Sequence, residues 1–235
     1  MNGRAVTPPQ TSSADDDRAA STPRLVAWAI LVGLMIAAAY AARAASSTPD
    51  DQVLYEWSTA VGSLVQDGLV LVLVLAIARG SARLLALRRP AGLARTGSIL
   101  LAALVGIYVW EGIYSALAHP GNEQGLTPSH WEPRHAAAYV VNSVVICTFV
   151  PFVEELTFRG LGVSLLERFG RWPAILLVGV VFGLAHGLVV SLPVLMVFGA
   201  VLAWVRVRTG SVLPGMVLHG TFNLIALVAA VTIQH

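Results

Sequence analysis

The chain has 235 residues, 56% hydrophobic and 12% charged, with a formal net charge of +2. Soluble domains carry about 25% charged residues, so the composition excludes a soluble globular domain and implies a polytopic membrane protein. The basic residues are all arginines scattered between apolar runs, and no recognition motif accompanies them, which excludes nucleic acid as a partner.

Residues 1–23 are rich in Pro, Ser, Thr and Asp and too polar to bury a core. They read as a disordered cytoplasmic tail, and they lack the n-region and h-region of a cleaved signal. Apolar runs long enough to span, about 20 residues each, then follow at Leu25 to Ala42, Val61 to Ala78 and Ser98 to Ala118. A fourth starts near Ala136 and passes through Pro151 to Glu154 and Glu155. The fifth and sixth lie within Pro173 to Val205, broken near Gly187–Pro193, and are short enough that one or both need not cross. The seventh covers Leu213 to Thr232. The predicted fold is all-α, a transmembrane bundle of about seven spans enclosing a cavity within the membrane. Its parts are the tail, N-terminal helices and loops at 24–135, and a core at 136–235.

Loop charges orient the spans. Arg79, Arg83, Arg88, Arg89 and Arg95 lie between the second and third spans with no acid among them, which places that loop in the cytoplasm. Asp50, Asp51 and Glu56 follow the first span, and loop 119–135 carries Glu123 and Glu132, so both lie outside. The expectation is a multi-pass protein of the cytoplasmic membrane with its N-terminus inside. Trp28, Trp57, Trp131, Trp172 and Trp204 fall near span ends or in loops, as interface anchors do. Cys147, the single cysteine, reads as a small core residue.

Against this background Glu154 and Glu155 stand out. A carboxylate in hydrocarbon costs roughly 2.5–3.5 kcal/mol on insertion scales, and such groups mark functional sites when a partner can be named. Glu155 and Arg159 are four apart on one helix face and can pair, which leaves Glu154, turned about 100° away, free to act. Two further patterns repeat the spacing: Phe182 with His186, and His219 with Asn223. Imidazole and amide groups polarise carbonyls and hold oxyanions. Singly, each residue has a packing explanation as interhelical glue or a neutralised pair. Packing does not require all of them on three of the last four spans, whereas convergence on one wet cavity explains the set. Asp67 reads as hydrogen-bonded within the bundle, and Glu111 as snorkelling to the outer interface beside Trp110 and Tyr114, with lining the substrate entrance as the alternative.

The patterns EExxxR, FxxxH and HxxxN, in this order on successive helices, resemble the CAAX prenyl protease and bacteriocin-processing family of intramembrane proteases, from about Ala136 to the C-terminus. The resemblance implies an intramembrane endopeptidase acting on membrane-associated protein or peptide substrates in the lipid bilayer. It makes Glu154 the catalytic carboxylate and His186 its partner in activating water. It assigns His219 and Asn223 to the tetrahedral intermediate, and Glu155 and Arg159 to orienting the site. A metal-free mechanism is favoured, because no HExxH helix is present; the alternative is zinc on Glu154, His186 and His219. Competing readings are a non-catalytic scaffold of the same fold and a proton-coupled transporter, which the lack of an obvious internal repeat disfavours.

Counting residues leaves one difficulty. At a rise of about 1.5 Å per residue, His186 lies about 20 Å from Pro173, but His219 only about 9 Å from Leu213. The constellation can form only if those two helices start at different depths.

Overall fold

The computed structural model describes residues 22–45, 52–119, 121–123, 126, 128 and 131–232. The polar 1–23 segment therefore lies outside the described residues, except for Thr22 and Pro23, which open the first helix. Seven long helices follow within the described residues, with no strand: α1 (Thr22–Ala45), α2 (Trp57–Ala78), α3 (Leu93–Ala118), α4 (Pro133–Phe169), α5 (Arg171–Leu184), α6 (Leu192–Thr209) and α7 (Leu213–Thr232). Six are long and apolar enough to cross a membrane, and α5, at 14 residues, is not. The protein is an all-helical, multi-pass membrane protein, with a shortened fifth helix.

α4 is 37 residues long and changes winding twice, with π turns at Val145–Phe149 and Glu155–Gly162. Pro151 accounts for the first. Proline has no N–H and its ring crowds the carbonyl one turn earlier, so a regular helix cannot pass through it unaltered. Here Val150 N–H bonds to the Val145 carbonyl, five residues back. The Ile146 carbonyl thereby loses Val150 as donor, and Pro151, five residues on, has none to give. Asn223 of α7 supplies the missing bond, its Nδ2 donating to Ile146 O at 2.9 Å. Gly220 lets α7 come this close, since a Cβ there would overlap the Cys147 carbonyl.

The same helix resolves the depth difference. α4 runs on for 15 residues beyond Glu154, about 22 Å at full α rise, before Gly170 (φ 108°) reverses the chain into α5. α5 climbs back over a similar length, which brings His186 level with Glu154. α7 instead starts recessed, because the α2–α3 connector folds into the bundle beneath it. Leu84, Leu85 and Ala86 are buried there. The α6–α7 turn sits on them: Val212 N donates to Ala86 O, Arg88 Nε to Gly210 O and Ser211 Oγ to Arg88 O.

Glycines set the closest helix contacts. A Cβ on Gly179 would stand 2.7 Å from Met196 O and 2.8 Å from Ala200 Cβ, and one on Gly199 3.0 Å from Gly179 Cα. The α5–α6 pair is thus a small-residue crossing of the kind membrane helices use. α1 closes the bundle through Trp28, whose Nε1 donates to Thr157 O at 2.9 Å. Trp28 is 4% exposed, which corrects its reading as an interface anchor; Trp57 and Trp172 remain exposed. Glu123 latches the end of the bundle opposite the arginine-rich connector. Its carboxylate accepts the N–H groups of Val189, Val190 and Ser191 ahead of α6 and pairs with Arg43 at 2.9 Å.

Two outcomes follow. Gly179→Ala overpacks the α5–α6 crossing and costs about 1–3 kcal/mol, measured by unfolding in detergent. Burial pushes the Glu123 carboxyl up, but hydrogen bonds from Ser191, Val189 and Val190 outweigh it and hold the group below the usual glutamate range. A carboxyl depressed in the folded state stabilises above its unfolded value, and that contribution is lost as pH falls through the folded one. Hydrogen exchange at 189–191 should therefore speed up below about pH 4.5, and Glu123→Gln should flatten the pH dependence.

Candidate active site

Glu155 and Arg159 are each wholly buried. They begin and fill the second π turn, whose wider winding keeps side chains four apart on one face. Arg159 Nη1 donates to Glu155 Oε1 at 2.9 Å, Nη2 donates to the Gly199 carbonyl at 3.1 Å, and the guanidinium lies 4.1 Å over the Phe182 ring. The free oxygen of Glu155 faces Gly215, where a Cβ would stand 2.5 Å away. One ion pair on α4 is thus held by a carbonyl of α6, an aromatic face of α5 and a glycine of α7.

Glu154 points elsewhere, into a cavity of about 500 Å³ that it shares with His186, His219, Asn223, Asp67 and Glu111. His186 Nε2 lies 3.9 Å from one Glu154 oxygen and His219 Nε2 3.6 Å from the other. The other ring nitrogens fix the tautomers. His186 Nδ1 is 2.8 Å from the Phe182 carbonyl, which can only accept, so Nδ1 carries the proton. His219 Nδ1 is 3.3 Å from Glu155 Oε1, the oxygen that also receives Arg159, and is the donor there too. Each imidazole thereby turns Nε2 toward Glu154, and the two rings and the carboxylate meet at one point.

Each sequence-predicted site residue can now be placed. Glu154, His186 and His219 are in mutual reach, and Glu155 and Arg159 lie directly behind them. Asn223 lines the cavity, but one amide N–H is committed to Ile146 O, so its first task is joining α7 to the interrupted turn of α4. Sequence reasoning named Phe182 only as the pattern partner of His186; its ring lies 4.6 Å from that of His186, 6.0 Å from that of His219 and 4.1 Å from the Arg159 guanidinium. It also misread Glu111, which faces the cavity instead of the aromatic belt formed by Trp110 and Tyr114. Asp67 was read as internally hydrogen-bonded; it lines the cavity close enough to Glu154 for the two carboxylates to repel. The missed signal was a polar residue every fourth position of α2: Thr59, Ser63 and Asp67, all on the cavity wall.

A metal centre was the alternative for Glu154, His186 and His219. The two imidazoles address different oxygens of Glu154, and His219 is shared with Glu155. Among the described residues, no three His, Cys, Asp or Glu side chains are grouped to hold a metal ion.

Removing one member of the buried pair leaves the other unpaired in the core. Arg159→Met should cost about 3–5 kcal/mol, and the double change Glu155→Gln with Arg159→Met should recover most of it, as read from a thermal-unfolding double-mutant cycle. Arg159→Lys, which cannot reach Glu155 and Gly199 together, should fall between.

No curated protein and no solved structure matches the chain. A family model does: the one described as type II CAAX prenyl endopeptidase Rce1-like, over residues 136–225. That stretch holds Glu154, Glu155, Arg159, His186, His219 and Asn223, and the match is consistent with the CAAX prenyl protease and bacteriocin-processing family that its motifs resemble.

Proposed function

We propose that this protein is an intramembrane endopeptidase that hydrolyses peptide bonds of membrane-associated proteins or peptides, with water activated by Glu154. The family is one of proteases. The observation that carries the reading is the meeting of Glu154, His186 Nε2 and His219 Nε2 around one point in a cavity lined by residues of α2 to α7. A carboxylate between two imidazoles is suited to act as a general base, and peptide hydrolysis begins by taking a proton from water.

The steps balance as follows. A water held between His186 Nε2 and Glu154 Oε1 loses a proton to Glu154 as its oxygen bonds to the substrate carbonyl carbon. The carbonyl oxygen becomes an oxyanion, and the second amide hydrogen of Asn223, the one not given to Ile146, is the donor available to it. The proton on Glu154 then passes to the leaving nitrogen, the C–N bond breaks, and a carboxylic acid and an amine leave, the acid's proton passing to the amine or to water. His219 is held by Glu155, itself locked by Arg159, so the ion pair orients the base without touching substrate. Phe182 holds His186 through its carbonyl and stacks on Arg159, which joins the two halves of the arrangement. Each step is carried by these side chains alone, without a metal.

The arginine-rich connector favours a cytoplasmic placement for its end of the bundle. The N-terminus then lies inside, the membrane is the cytoplasmic membrane, and the cavity reaches the opposite face near Glu123.

The test is cleavage of a membrane-peptide library by the purified protein. Wild type should yield products and Glu154→Ala none, while Glu154→Gln, which keeps the shape but not the basicity, should lose at least about a thousandfold in rate. Equal product from wild type and Glu154→Ala would overturn the assignment, and no product from either would favour a scaffold. Chelator should leave activity intact; loss restored by zinc would reinstate a metal mechanism.

A further inference from the structure

The cavity carries more acid than its chemistry uses. Asp67, Glu111, Glu123 and Glu154 line it, and no arginine does among its described lining residues. Two of the four are answered within the protein. Glu123 has Arg43 and three backbone N–H groups, and Glu154 has the imidazoles of His186 and His219. Among the described residues, Asp67 and Glu111 have neither a hydrogen-bond donor nor a cation against them.

Asp67 is the sharper case. It is 8% exposed, at mid-length of α2, and its carboxyl faces the same space as Glu154. A carboxylate so enclosed, with no described donor or cation against it, favours the entry of a cation. Its surroundings are built for a polar occupant, since Ser63 and Thr59, one and two turns back along α2, line the same wall, with Ser115 and Glu111 of α3 on the cavity too. All of these lie outside residues 136–225, so this wall is a property of the N-terminal helices and not of the matched segment.

We propose that Asp67, assisted by Glu111, is a specificity subsite that receives a basic side chain, Lys or Arg, of a substrate whose scissile bond lies at Glu154. The inference rests on the endopeptidase reading for the identity of the occupant, but the cation site can be tested without turnover. A lysine stem crosses the apolar part of the cavity and delivers its ammonium to Asp67, while the adjoining backbone lies against Glu154. The chain then cleaves beside positive charge, and substrates neutral at that position are poor ones.

The experiment uses the full chain carrying Glu154→Ala, in phosphatidylcholine nanodiscs, so that bound peptide is not consumed. The probes are rhodamine-labelled apolar peptides of about 25 residues, N-acetylated and identical except for one central Lys or Gln. A third, the Gln peptide with a free N-terminus, tells an α-ammonium from a side chain. The Lys peptide should bind about tenfold or more tightly than the acetylated Gln peptide, and Asp67→Asn should remove the difference. Carbodiimide coupling should join the peptide Lys to Asp67, mapped by mass spectrometry, which decides the matter even if Asp67→Asn does not fold. Equal binding of the Lys and Gln peptides, a preference that survives Asp67→Asn, or coupling only to other carboxylates would overturn the proposal, and tight binding of the free N-terminus alone would overturn the side-chain assignment. Cleavage by wild type, run in parallel, separates the two readings. Lys-selective binding without cleavage overturns the protease and keeps the site, whereas cleavage without Lys selectivity does the reverse.

Discussion

Neither Glu155 nor Arg159 touches solvent, and each would be intolerable in the core without the other. An ion pair stripped of water recovers its desolvation cost only if its remaining donors and acceptors are also met. Gly199 of α6 meets one with its carbonyl, Phe182 of α5 covers the guanidinium, and His219 of α7 approaches the carboxylate. The demand of one charge pair on α4 therefore dictates where three other helices must pass, and the glycines at 179, 199 and 215 let them pass that closely. Such a pair contributes more to uniqueness of arrangement than to stability. In this molecule the uniqueness is what sets Nε2 of His219 on Glu154 and not elsewhere.

Pro151 adds a second constraint of the same kind. A membrane interior cannot leave a backbone carbonyl unmet, and the turn before Pro151 leaves Ile146 without a backbone donor. Asn223 is the remedy, and because it lies one turn beyond His219, the bond that mends the helix also fixes the rotation of α7 about the site. Catalytic placement and backbone repair are here the same contact.

Much of this was readable beforehand, for definable reasons. Spans are legible because length and apolarity suffice to identify them, and Gly170 and Gly210 mark the sharp ends of α4 and α6. The Glu155–Arg159 pairing is local, so helical spacing was enough to assign it and to release Glu154. What failed was rotation. On α3 the cavity-facing Glu111 and Ser115 stand beside Trp110 and Tyr114, and nearness to that aromatic pair outweighed their shared face, so Glu111 was sent to the interface when it faces inward. Trp28 failed for the same reason, its position near a span end outweighing a partner, Thr157, that lies 129 residues away. The π turns left no mark beyond Pro151, and the role of Asn223 could not be seen without them.

The brevity of α5 carries a further consequence. Its 14 residues cover about 21 Å, while a bilayer core is about 30 Å thick. Trp172, Leu176 and Leu177 are exposed along it, so lipid tails must meet this short helix directly. Acyl chains answer a helix shorter than themselves by thinning the bilayer beside it. The thinned patch lies against the one helix that leads to His186, and there the headgroup region and its water dip toward the cavity. The proposed hydrolysis needs a supply of water, and hydrophobic mismatch along α5 would shorten the path by which it arrives.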